Sequence, residues 1–321
     1  MLPHASRAAA ADLIAGPDLF PVDLDFARRE LTAVPMTRED YRRVAFHSRG
    51  ALGQLDGRRE IDVGALLASP PDCDPVAPPV HYVVHMGLCC STLLGRVLEC
   101  VPGVFPLREP APLTQVTLHL ERDYDASGCD PAWSPPGEGA AWLRVVQALL
   151  QRSYPGVRHT VVKAVPQALL LAPWLLARDR RSRGLYLYAD PTTFLCQTLR
   201  TRQRRGWARR SLSYTRPGWR ATREGLADAE AAALLWATRM EQYRRLRQRT
   251  DAPLAALDGS RLAVDREAAL REALAALGIA CDDAVLAAAL GVRRRGALPR
   301  VAGRLGPASD DRRAGAADPS R

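Results

Sequence analysis

The stretch from His81 to Glu99 constrains this chain more than any other. His81-Tyr-Val-Val-His85 is a short β-branched and aromatic run that predicts a buried strand. The chain then turns through Met86-Gly-Leu-Cys-Cys90 and enters a helix at Ser91-Thr92, with Leu93, Leu94, Val97 and Leu98 on its apolar face. Such a junction leaves the amides of the first helical turn without partners, at the positive end of the helix dipole. An anion can sit there. Gly87 would open the turn, the amides of Leu88, Cys89, Cys90, Ser91 and Thr92 would hold the anion, and the two hydroxyls would lie beside it. The alternative is a core strand joined to a helix that Ser91 or Thr92 merely caps.

Later segments supply the setting. Val104-Phe-Pro-Leu107, Thr160-Val-Val-Lys163, Leu185-Tyr-Leu-Tyr188 and Leu254-Ala-Ala-Leu257 predict further short strands. Between them, apolar spacing and caps predict helices over 112–121, 139–153, 166–177, 190–200, 221–249, 265–277 and 282–290. Strands alternating with helices predict an α/β fold, a three-layer P-loop-type parallel sheet flanked by helices. In such sheets ligands bind beyond the carboxyl ends of the strands. The turn 86–90, Glu109, Lys163 and Asp190 all follow strand ends and can share one crevice, which favours the anion cradle over the plain cap.

Three regions are expected: an N-terminal extension with a Pro-rich linker over 1–79, the P-loop-type domain over 80–302, and a tail over 303–321 whose composition predicts disorder. The extension reads as small and helical. One helix is predicted over Phe26–Leu31, and Thr37-Arg-Glu-Asp40 reads as a capping box opening a second through His47. Residues 122–138 read as a surface loop.

Of the 45 Lys and Arg residues only Lys163 is lysine. A broad, planar guanidinium does not imitate a compact ammonium at a tight oxygen site, so Lys163 is a candidate for a place where geometry forbids Arg. Chance survival is the alternative. The net charge of +10 favours anionic partners. A hydrophobic content of 47% in 321 residues suffices for one sizeable core. No apolar run approaches the ~20 residues of a membrane span, and no membrane partner is expected. Met1–Ala15 has neither the basic start nor the apolar stretch of a signal peptide, which predicts a cytoplasmic protein. Seven cysteines (73, 89, 90, 100, 129, 196 and 281) show no zinc spacing, so reduced thiols and no metal are expected.

The anion chemistry is narrowed by what the turn lacks. A Walker A loop needs a second Gly and a Lys before its Ser/Thr, and Gly87-Leu-Cys-Cys90 has neither. An ATPase or kinase of the usual type is not expected. Instead Ser91-Thr-Leu-Leu94, the Glu109-Pro110 pair, Val161-Val-Lys163 and Asp190-Pro191 follow one another at family-like spacing. So do Leu234-Leu-Trp-Ala-Thr-Arg-Met-Glu-Gln-Tyr243 and Leu257-Asp-Gly-Ser-Arg-Leu262 with the later Ala276-Leu-Gly278. Over about residues 81–280 this resembles the sulfotransferase family, whose loop grips the 5′-phosphosulfate of PAPS (3′-phosphoadenylyl sulfate).

The resemblance implies PAPS as cofactor and a hydroxyl acceptor, either a small molecule or an acidic one. Glu109, seventeen residues beyond Thr92, stands where tyrosylprotein-type members place their catalytic Glu, which takes the acceptor's proton. Lys163 resembles the strand-end lysine that stabilises charge on the transferring oxygens. Their alternatives are a carboxylate that caps a helix or pairs with Arg108, and a surface lysine. The sequence departs from the family at Leu88, where a basic residue is expected, and at Cys90, where a Gly is. Losing one such donor costs on the order of 3–4 kcal/mol, so Lys163 or His85 would have to replace it. The positions expected to hold the 3′-phosphate are Ala189 and Gln197, leaving Arg200 or the cluster Arg202–Arg210 to substitute.

Three features stand outside this reading. Cys89-Cys90 at a helix start could form a reactive thiol site, or simply fill space. His81, His119 and His159 have no partners at metal spacing. Arg200 to Arg220 interleaves eight arginines with Trp207, Tyr214 and Trp219, a pattern that can bind single-stranded nucleic acid, clamp an acidic ligand or form a solvated loop, and Arg293-Arg-Arg295 is similarly ambiguous. The functional alternatives are therefore a sulfuryl transferase, a non-catalytic nucleotide or anion binder of the same fold, and, more weakly, a nucleic-acid binder.

Overall fold

A computed structural model describes residues 12–126, 133–215, 225–249, 251 and 253–291. Arg216, Trp219, Arg220, Cys129, Arg293–Arg295 and the tail from 303 lie outside the described residues, as does the side chain of Tyr214.

The chain first builds a three-stranded antiparallel sheet from β1 (Leu19–Asp25), β2 (Glu30–Pro35) and β3 (Arg59–Asp62), in that order. This corrects the expectation of a helical extension. Phe26–Leu31 is not a helix: it holds the hairpin turn, with Arg29 at φ 58, and the start of β2. Val22 and Leu24 on β1, and Leu31 and Ala33 on β2, alternate inward with a period of two, and that strand signal outweighed the short helical spacing. The Thr37–Asp40 capping box does form, opening α1 (Arg38–Arg43). Two further short helices, α2 (Arg49–Leu52) and α3 (Gly64–Ala68), complete the region.

The main body is α/β, with five parallel strands flanked by helices. They are β4 (Val80–His85), β5 (Val104–Arg108), β6 (His159–Lys163), β7 (Gly184–Tyr188) and β8 (Leu254–Asp258), in the order β5-β6-β4-β7-β8. All six residues of β4 are buried, as the run of β-branched and aromatic residues requires of a central parallel strand. From β4 the chain crosses outward to β5, returns to β6, and later fills β7 and β8 on the other side. β4 and β6 therefore flank the switch point, where a parallel sheet leaves a crevice at its carboxyl end.

The connecting helices are α4 (Ser91–Leu98), α5 (Ala111–Ala126), α6 (Gly137–Gln151), a 3₁₀ segment (Pro166–Leu171) running into α7 (Ala172–Ala177), and α8 (Pro191–Leu199). Then come α9 (Arg202–Thr215), α10 (Asp228–Arg249), α11 (Arg261–Val264), α12 (Arg266–Ala276) and α13 (Asp283–Gly291). Most match the expected spans, but α5 runs on to Ala126, into the stretch 122–138 read as a loop, and α1 stops at Arg43, short of His47. α9 does not match, because the Arg-rich stretch is a helix that buries Ala208, Ser211 and Leu212. Its arginines hid the apolar period.

The N-terminal region is locked to the sheet through His47 and Arg108. The backbone N–H of Arg108 donates to His47 Nδ1 (2.9 Å), and His47 Nε2 donates to the Tyr41 carbonyl (2.9 Å). At the amino end of the sheet, the Arg183 N–H donates to His81 Nδ1 (3.1 Å), and His81 Nε2 meets His159 Nδ1 at 3.0 Å. Both rings are held neutral. Burial above all pushes His47 and His81 down to about 4. The unfolded chain, with imidazoles near 6.5, then binds these protons more readily than the folded one. Stability is complete above pH ~6.5, falls as pH drops toward 4 by about 3 kcal/mol per histidine, and changes no further through these groups below that. Urea unfolding between pH 8 and 4 should show this slope, and His47→Gln should lessen it by the share of one histidine; a slope unchanged in the variant would exclude His47 as a source.

Candidate active site

The expected junction is present at the carboxyl end of β4. Gly87 (φ 93), Leu88 (φ 53) and Cys90 (φ 60) all take left-handed backbone, and α4 begins directly after them. Cys90 is the N-cap, with no side-chain hydrogen bond to the helix, so neither Ser91 nor Thr92 acts as a conventional cap. Among the described residues one more non-glycine residue at this end is left-handed, Glu109 at φ 50. Holding an L-residue there costs about 1–2 kcal/mol, and such strain concentrates at functional sites.

That turn of backbone carries the Glu109 side chain toward the end of β6. Its N–H continues the ladder by donating to the Lys163 carbonyl (2.6 Å), while Lys163 Nζ donates to Glu109 Oε1 in a short contact. The sole lysine and the predicted base therefore meet. Lys163 is buried (3% exposed), and its stem, with that of Arg108, crosses α4 at Gly95, where a Cβ would stand 3.5 Å from Arg108 Cδ and 3.7 Å from Lys163 Cδ. The Phe46 ring, from the N-terminal region, lies 5.1 Å from Nζ. The reading of Lys163 as a surface residue is excluded. So is a Glu109–Arg108 pair: Arg108 bonds to Glu99 and to the carbonyls of Tyr41 (2.8 Å), Arg42 (3.3 Å) and Val44.

His85 stands beside this pair, its Nε2 3.9 Å from Glu109 Oε1. The Gly87 N–H donates to His85 Nδ1 (3.1 Å), which leaves the ring proton on Nε2. Burial, then the Lys163 charge, hold its pKa well below the usual range. His85 is neutral. It does not replace the charge missing at Leu88, as the sequence allowed; it offers an N–H instead.

The turn is gripped from two sides. A Cβ on Gly87 would lie 2.6 Å from Trp207 of α9, and one on Gly259 would lie 2.0 Å from the Cys89 carbonyl oxygen. The Gly87 and Ser91 amides also reach the Cys89 sulfur. That thiol is buried, and burial pushes its pKa up to about 11. It stays protonated near neutrality, which argues against a nucleophilic Cys89.

The remaining candidates are more distant from the pair. Asp190 caps α8 by accepting from the Thr193 N–H (3.0 Å). Gln197 is held by Arg204, whose Nη1 donates to its Oε1 (2.6 Å) and carbonyl (3.0 Å). Trp236 Nε1 donates to the Ala189 carbonyl (2.8 Å), closing the strand end where the family resemblance looked for an Arg. Arg200 is exposed at the end of α8. Arg205 and Arg209 both pair with Asp228, at 2.9 and 2.7 Å, so much of the basic stretch braces α9 against its neighbours. Among the described residues no group of His, Cys, Asp or Glu is arranged to hold a metal, and no helix is long and apolar enough to cross a membrane.

Sequence reading missed Arg239, buried in α10, and Phe46. Neither carries a motif, although an arginine amid the apolar positions of α10 was a signal in principle.

A scan against protein-family models and a search of curated proteins give no match. Among solved structures, the chain is similar to sulfotransferase STF9 from Mycobacterium avium, at 13% identity over 74% of this chain and 72% of that one, with a TM-score of 0.40. Sulfotransferase STF1 from Mycobacterium tuberculosis H37Rv aligns at 16% identity over 72% and 74%, with a TM-score of 0.42. A sulfotransferase from Alicyclobacillus acidocaldarius aligns at 15% identity over 70% and 98%, with a TM-score of 0.34.

Proposed function

We propose that the chain is a sulfotransferase-like transferase that moves a sulfuryl group from PAPS to a hydroxyl acceptor. The observation that carries this reading is the Glu109–Lys163 contact at the carboxyl end of the sheet, beside a left-handed strand-turn-helix junction. PAPS, when bound, would supply the activated sulfuryl group. The amides of Leu88 and Thr92 would hold its 5′ end, with exposed Arg200 available to the 3′-phosphate. The Gly87 and Ser91 amides already reach Cys89, and Gln197 is taken by Arg204.

In the free protein Lys163 holds the Glu109 side chain in place through their contact. As an acceptor hydroxyl comes up, Glu109 takes its proton, and Lys163 turns its ammonium toward the oxygens where negative charge grows. Burial of Lys163 strengthens that interaction, because little water competes.

A second reading has its own support. Leu88 brings no cation to the turn, and Trp207 packs on Gly87, both of which suit a non-catalytic nucleotide or anion binder. Nucleic-acid binding is less favoured, because Arg204, Arg205 and Arg209 have intramolecular partners. Thermal unfolding with PAP, ATP and sulfate separates the readings. Stabilisation by PAP, with Glu109→Gln retaining that shift and losing 10²–10⁴-fold in turnover, is the expected result. Absence of any response to adenine nucleotides would sink the transferase reading, and unchanged turnover in Glu109→Gln would remove the base assignment.

A further inference from the structure

We propose that His85, at the end of β4, and Arg239, on α10, form a buried niche for a tetrahedral oxyanion, the sulfuryl group of the donor. This rests on the transferase reading above. Arg239 is 1% exposed. Its Nη1 donates to the Pro166 carbonyl (3.3 Å) and to Gln242 Oε1 (2.9 Å), but Nε and Nη2 have no hydrogen-bond partner. Buried donors are almost always paired, and an arginine is the least suited of all to be left open. The open edge is informative. Nε and Nη2 are the two parallel donors with which a guanidinium grips two oxygens of one oxyanion.

His85 is the second unsatisfied donor. It is 4% exposed, and its Nε2–H lies beside the Ala164 backbone and 3.9 Å from Glu109 Oε1 without completing a hydrogen bond to either. The two residues adjoin the same strand ends. Pro166, which Arg239 touches, lies three residues beyond Lys163, and the Arg239 charge is near enough to help keep the imidazole neutral. Burial also weakens the guanidinium's hold on its proton, and the neighbouring Glu121 carboxylate offsets this only in part. An oxyanion between these donors would satisfy His85 Nε2 and the open edge of Arg239 together, with Lys163 and Glu109 alongside. It would also supply the cation that Leu88 does not.

The test uses the full chain at constant ionic strength, unfolded thermally against sodium sulfate and, separately, against PAP, which carries no sulfuryl group. The variants are Arg239→Met and Arg239→Lys; the second keeps a buried cation but lacks the two-pronged edge, so it decides the matter if the first does not fold. A saturable sulfate-dependent stabilisation is expected in the wild type, weakened at least tenfold in its midpoint by either variant, while the PAP response persists. A sulfate response that never saturates is the general effect of an excluded salt and overturns the proposal. So does a saturable response unchanged by both variants. Loss of the PAP response alone, with sulfate binding still dependent on Arg239, overturns the transferase reading and leaves the niche standing.

Discussion

Lys163→Arg should be strongly destabilising although it keeps the charge, and more so than Lys163→Met. The stem passes α4 at Gly95 and the ammonium ends at the Phe46 ring and Glu109, with 3% of the residue exposed. A guanidinium is wider and carries five N–H donors, for which the surroundings offer chiefly Glu109. Overpacking of this kind costs about 1–3 kcal/mol, and each buried donor left unmade adds about 1–3 kcal/mol. Methionine follows the same path through the core without those donors. It strands only Glu109, whose side chain is 25% exposed and can return to water. Thermal unfolding should therefore rank wild type above Lys163→Met and Lys163→Met above Lys163→Arg, although on the transferase reading Lys163→Met should still lose about 10²–10³ in turnover. An arginine variant as stable as the wild type would show that geometry does not select lysine here.

Gly259→Ala is expected to dislodge the turn itself. The glycine follows β8, and its N–H donates to the Tyr188 carbonyl (2.8 Å). A Cβ there would stand 2.0 Å from the Cys89 carbonyl oxygen and 2.9 Å from its carbon. Both are main-chain atoms of a turn already strained at Leu88 and Cys90, with no flexible side-chain end to swing aside. Either β8 and β7 lose their register at this end or the turn moves outward, and each route costs at least about 3 kcal/mol by the overpacking scale. Loss of any anion-dependent stabilisation should accompany the drop in melting temperature. A variant with wild-type melting and anion response would mean that the two segments can separate freely.

The central architecture was legible because it rests on short-range pattern. Buried β-branched runs and capped amphipathic stretches placed the strands within a residue or so, and the strand ends then put Glu109 and Lys163, with the turn 86–90 and Asp190, on one crevice. The N-terminal sheet was not read, since Val22, Leu24, Leu31 and Ala33 alternate too briefly to outweigh a helical spacing. Helix α9 was obscured because arginines fill most of its surface. Other parts of the site depend on contacts far apart in sequence. Phe46 over Lys163, Trp207 on Gly87 and the open edge of Arg239 leave no local trace, and the neutrality of His85 follows from burial that only the folded chain creates.

The segment 41–47 holds Arg108 through backbone carbonyls and lays Phe46 across Lys163. This ties the chemistry to the order of assembly. The strands β4, β5 and β6 can pair while the N-terminal segment is still undocked, but Lys163 and Glu109 would then meet in the presence of water, where a charge pair has only a fraction of its buried strength. Docking of a stretch more than a hundred residues upstream of Lys163 shields the ammonium from that water. On the transferase reading, a chain with this segment undocked would carry the same groups yet turn over more slowly, and protection of the 41–47 amides from hydrogen exchange should appear together with full activity.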